Sequence, residues 1–140
     1  MGSKVKIRIE TSIHASVKKV WNACITPDDI TQWNFATPEW CCPKAEIDLK
    51  PSGKFSYRME AKDGSMGFDF DGEFTAVEEM SLIKFHLGDN REVEVNFTEN
   101  GEALIATEIF EAEDENSAEQ QKQGWQSILN HFKDYVESAN

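Results

Sequence analysis

What the chain has little of narrows its class first. It carries three cysteines, Cys24, Cys41 and Cys42, an odd number with two adjacent. Neighbouring cysteines rarely bridge each other, so they form no disulfide framework, and a reduced, cytoplasmic setting is expected. Basic residues are scarce: 14 Lys and Arg stand against 26 Asp and Glu, a formal charge of −12. Such a surface has no basic patch for a phosphate backbone, so nucleic acid is not expected as a partner. No run approaches the ~20 apolar residues of a membrane helix, and membrane insertion is not expected. The stretch Met1–Ile9 lacks the apolar core of a secretory leader.

Catalytic and cofactor signatures are missing too. There is no GxGxxG and no GxxxxGK followed by Ser or Thr, hence no nucleotide motif. Cys41 and Cys42 cannot easily place both sulfurs on one tetrahedral ion, and no histidine stands at ligand spacing. His14, His86 and His131 suggest no Ser-His-Asp or Cys-His set by their spacing. No metal, cofactor or catalytic residue is expected.

What is present is patterning over 140 residues, the length of one domain, taken as 1–140. Near the end, Trp125, Ile128, Leu129, Phe132, Tyr135 and Val136 recur at i, i+3, i+4, i+7, i+10 and i+11, one stripe of an amphipathic helix over Ser117–Val136. Ser117 suits its N-cap. Gly124 interrupts it, at a cost of ~1 kcal/mol relative to alanine. Tight packing on a sheet and the wall of a cavity both account for a glycine there.

At the other end Lys4–Ile13 alternates, with Val5, Ile7 and Ile9 on one face. Ser16 caps a short helix whose inner face is Val17, Val20, Trp21, Cys24 and Ile25, and Pro27 opens a second. Asn34–Pro43 reads as a loop with a heavy apolar load. Six alternating runs follow: Lys44–Lys50, Lys54–Lys62, Gly67–Val77, Ser81–Leu87, Arg91–Phe97 and Glu102–Glu111. Tight turns between them, such as Asp63-Gly64 and Asn100-Gly101, make the sheet antiparallel. In Gly67–Val77 the expected inward residues are Phe68, Phe70, Gly72, Phe74 and Ala76. The last run has two open registers: Ile105, Thr107 and Ile109 face inward, or Leu104, Ala106, Glu108 and Phe110 do. The second puts the Glu108 carboxyl in an apolar interior. Tyr57 has inward parity, and a buried hydroxyl needs a partner.

The order β-α-α-β6-α is that of an α+β helix-grip fold, a curved seven-stranded antiparallel sheet around a long C-terminal helix. Three stretches carry a closer resemblance: Val20-Trp21 with Thr26-Pro27 and Trp33-Asn34; Gly53-Lys54-Phe55 through Tyr57-Arg58-Met59 to Gly72; and Gly124-Trp125 with Leu129, Phe132 and Tyr135. Over Lys4–Glu137 the chain resembles the AHSA family (activator of heat-shock-protein-ninety ATPase homologues) of the START/birch-pollen-allergen, or SRPBCC, superfamily. The resemblance implies an internal cavity for apolar small molecules.

The leading reading is therefore a module holding an aromatic or lipid-like guest between sheet and terminal helix. Candidate lining residues are Trp33, Phe35 and Trp40; Tyr57, Met59, Met66, Phe68 and Phe70; Phe85, Val95 and Glu108; and Gln121, Trp125 and Ile128. The second reading is a co-chaperone type of interaction module with a chaperone partner, using an exposed patch at Phe35 and Trp40. The third is a cavity enzyme such as a cyclase or hydratase, which needs a polar cluster inside.

Overall fold

The computed structural model describes residues 5–88, 90–113 and 117–138. The expected strand start at Lys4, the turn residue Asp89 and the polar residues Asp114 to Asn116 lie outside that range. The elements in chain order are β1 (Lys6–Ile13), α1 (Val17–Ile25), α2 (Pro27–Trp33), β2 (Trp40–Ile47), β3 (Lys54–Ala61), β4 (Gly67–Glu78), β5 (Leu82–Leu87), β6 (Glu92–Asn100), β7 (Ala103–Glu111) and α3 (Ala118–Ser138). The seven strands form one curved antiparallel sheet in the order β1-β7-β6-β5-β4-β3-β2. This is the α+β architecture and the element order expected.

β1 and β2 follow each other in sequence yet hold opposite edges of the sheet. The α1–α2 link must therefore cross the open side of the curve. Local chemistry sets where its helices begin. The Ser16 hydroxyl accepts from the Lys19 amide at 3.2 Å, satisfying a free donor of the first turn. Pro27 opens α2, and Asp28 and Asp29 sit in its positive first turn. α3 starts the same way, with the Gln120 amide donating to Ser117 Oγ at 3.1 Å.

One half of the interior is packed solid. Ile7, Ile9 and Ile13 of β1 meet Leu104, Ala106 and Phe110 of β7. Val20 and Trp21 of α1 and Leu129, Phe132 and Val136 of α3 complete this cluster. A smaller cluster of Ile30, Cys42 and Met59 lies under α2 and β2.

Three details differ from the sequence expectation. β2 begins at Trp40, inside the expected loop, and ends at Ile47. Its register shifts between Cys41 and Lys44, where Pro43 can donate no ladder hydrogen bond. β4 also shifts register, between Phe74 and Ala76. The extra residue there turns Val77, rather than Ala76, toward the core, where it pairs with Ile83. Finally, β6 runs on to Asn100, and the hairpin turn falls at Gly101, whose φ of 68° suits glycine.

Candidate functional site

The other half of the interior is hollow. A cavity of about 260 Å³ lies between the aromatic strands β3–β5 and the first half of α3. Phe55, Tyr57 and Met59 line it from β3, and Phe68, Phe70 and Phe74 from β4. Ile83 and Phe85 of β5, Val95 of β6 and Glu108 of β7 follow along the sheet. Trp125 and Ile128 close it from α3, Cys24, Trp33 and Asn34 from the two short helices, and Ile47 from β2.

Aromatic contacts hold this wall open. Phe55 meets Tyr57, Phe70, Phe74 and Phe85 with ring centroids 5.0–6.1 Å apart. Its ring lies against Gly72, where an added Cβ would come within 2.9 Å of it and closer still to the His86 carbonyl. Trp125 stacks flat on Phe110, centroids 3.9 Å apart at 10°, and turns an edge to Phe70. The indole is thus pinned to the sheet and spans the boundary between packed and hollow halves. A methyl group on the neighbouring Gly124 would meet nothing within 4 Å, so tight packing does not account for that glycine. Phe68, 49% exposed, lines the cavity while touching solvent, which puts the mouth at the start of β4.

The last strand adopts the register with Leu104, Ala106, Glu108 and Phe110 facing in. Glu108 stands between Ile9 of β1 and Val95 of β6, neither of which offers a donor. Protein encloses it, and the surface it keeps accessible is the cavity's own. Among the described residues its carboxyl finds no hydrogen-bond partner. Burial pushes its pKa from 4.5 up to about 7. Burial, then the nearby Glu108 charge, pushes the Cys24 thiol up to about 12, so it is protonated at neutral pH and a poor nucleophile. Burial likewise drives the Tyr57 phenol upward, with the Cys24 and Cys42 thiols adding to the shift. The Asn34 side chain is engaged with the Cys42 thiol.

Of the expected lining residues, Trp33, Tyr57, Met59, Phe68, Phe70, Phe85, Val95, Glu108, Trp125 and Ile128 surround this cavity. Four others lie off it. Phe35 packs in the smaller cluster, its carbonyl against His131 Nδ1 at 2.5 Å. Trp40 packs there too, edge-on to Phe68 at 5.9 Å. Both are half-buried, not the exposed patch expected of them. Met66 precedes β4 and is 64% exposed. Gln121 is buried, but its carboxamide is spent on the backbone: it accepts from the Glu113 amide at 2.8 Å and donates to the Glu113 carbonyl at 3.2 Å. It ties the start of α3 to the chain leaving β7. Phe74 and Cys24 stand on the inner faces expected of their strand and helix, and the two-residue alternation of β2, β3 and β5 would add Ile47, Phe55 and Ile83. Asn34, at the end of α2, had no such signal.

No cluster of His, Cys, Asp and Glu suited to a metal occurs among the described residues. No described helix is long and apolar enough to cross a membrane.

A curved antiparallel sheet gripping a terminal helix around a hollow is the helix-grip class of α+β protein. Residues 14–137 match the model of the family described as activator of Hsp90 ATPase homolog 1-like protein, and the chain belongs to that family. Two similar solved structures agree. An AHSA1-like protein from Aeromonas hydrophila shares 42% identity over 96% of this chain and 93% of its own, with a TM-score of 0.91. A protein from Cytophaga hutchinsonii shares 44% identity over 95% and 92%, with a TM-score of 0.83. A Nitrosomonas europaea protein, 16% identical over 95% and 94% with a TM-score of 0.79, shares the fold. A search of curated proteins finds no match.

Proposed function

We propose that the protein is a binding module that takes an apolar aromatic or lipid-like small molecule into the cavity between β3–β7 and α3. The observation that carries this reading is the size and lining of the hollow. An apolar cavity of about 150 Å³ is enough to take up benzene. One of about 260 Å³ admits a larger, two-ring body. Apolar walls bordering unfilled volume lose packing contacts, which is a cost to the empty protein. A filling guest offsets this cost, and the aromatic wall supplies the contact surface. The odd cysteine count, with two of the three adjacent, favours a reduced, cytoplasmic setting for this activity.

The test is titration with the neutral two-ring dye Prodan, with a cavity-filling variant as control. Wild type should enhance the dye's emission and gain melting temperature with naphthalene-sized compounds. Ile128→Phe and Val95→Phe, which place a ring in the hollow, should keep the fold and weaken binding at least about tenfold. Unchanged dye binding in both folded variants removes the reading.

One surface feature favours a second reading, a protein-interaction module of the kind the family description names. Met66 and Phe68, two residues apart in the chain, are both exposed, with Trp40 against Phe68. Met66→Ser with Phe68→Ser should then abolish capture of a chaperone ATPase. Equal capture by the double variant, or none by wild type, ends that reading.

A further inference from the structure

We infer that the guest carries a hydrogen-bond-donating head, best a protonated amine, seated on the carboxyl of Glu108, and that the cavity discriminates against fatty acids and other anionic amphiphiles of the same shape. This deepens, and rests on, the small-molecule reading above. Three observations support it. First, Glu108 is the one charged side chain among the described lining residues, and no described Lys, Arg or His lines the cavity to receive an anionic head. Second, its carboxyl has no hydrogen-bond partner among the described residues, and its cross-strand neighbours Ile9 and Val95 are apolar. Third, its own strand flanks it with Ala106 and Phe110, the latter covered by the Trp125 ring.

A carboxyl that meets only an apolar cavity and no protein donor is a costly arrangement in the empty protein. A donor arriving with an apolar body removes that cost and gains a charge-assisted hydrogen bond in a low-dielectric site. An ammonium does so most fully, because it pairs charge as well as hydrogen bond. A hydroxyl does so in part. A carboxylate meets like charge and can enter only with a proton held between the two groups. The net charge of −12 acts in the same direction, drawing cations and repelling anions before contact. The raised Glu108 pKa marks the same unsatisfied group.

The test uses three probes with one apolar body: naphthylmethylamine, naphthylmethanol and naphthoic acid, titrated calorimetrically into the whole protein. Affinity should fall in that order, with the amine at least about tenfold tighter than the alcohol. In Glu108→Gln the amine should lose that advantage while the alcohol binds within a few-fold of its wild-type affinity, which also shows the variant folded and its cavity intact. If the acid binds as tightly as the amine, or the amine's preference survives in Glu108→Gln, the head assignment is overturned while the cavity reading stands. If none of the three binds, both fall together.

Discussion

The two halves of α3 meet the same sheet and end differently. From Leu129 to Val136 the helix is embedded: Leu129, Phe132 and Val136 are buried, and Trp33 turns an edge to Phe132 at 4.8 Å. The Tyr135 hydroxyl donates to Asp29 of α2, which locks the helix end, and that bond raises the phenol to about 12. From Gly124 to Ile128 the helix instead roofs a hollow, with Trp125 and Ile128 facing open volume. The packed half has β1 and α1 to fill against, with branched aliphatics that close gaps. The hollow half faces rings from β3, β4 and β5, which brace one another and do not collapse inward. The packing that stabilises the fold and the hollow proposed to take a ligand thus lie at different ends of one helix.

The sharpest way to break this division is to cut the packed half. Phe132→Ala should cost about 4 kcal/mol, as for other buried aromatic truncations, read by urea denaturation. A cost near 1 kcal/mol would mean the two halves are alike.

Glu108 sharpens it next. The unfolded carboxyl titrates near 4.5 and the folded one near 7, so between those values the folded state holds a proton that the unfolded state has released. Wild-type stability should therefore fall as pH rises from 4.5 to about 7, by on the order of 3 kcal/mol for this group. Glu108→Gln removes that loss. The variant should match wild type near pH 4 and exceed it by a few kcal/mol near pH 8, whereas a gap independent of pH would contradict the buried, unpartnered carboxyl.

Two adjacent truncations compare the halves directly. Leu129→Ala should cost about 3 kcal/mol, and Ile128→Ala about 1 kcal/mol, because the second site already borders empty space. Equal losses would show that the hollow is filled by side chains. The smallest effect is at Gly124, where a methyl meets nothing. Gly124→Ala should stabilise the protein by about 1 kcal/mol, a rise of a few degrees in melting temperature.

Much of the fold was readable because short-range chemistry decides it. Ile7 and Ile9 alternate with charge, Ser16, Pro27 and Ser117 sit at helix starts, and the stripe from Trp125 to Val136 has one period throughout. The errors fall where the ladder breaks. Pro43 shifts β2, and the bulge near Thr75 exchanges Ala76 for Val77; neither leaves a mark on local alternation. In the candidate site, Phe35 and Trp40 show the complementary weakness. Their apolarity left open whether they line the cavity or form an exposed patch, and the structure packs both in the smaller cluster.

By itself, the amino-acid sequence determined the number and order of elements and which face of most of them is apolar, since periodicity and capping act within a few residues. Tertiary structure alone decided the register of β7, and with it that Glu108 points inward. It also decided that the aromatic strands stand apart from α3 rather than closing on it. Both depend on pairing between segments distant in the chain, where rings bracing rings determine how much space is left.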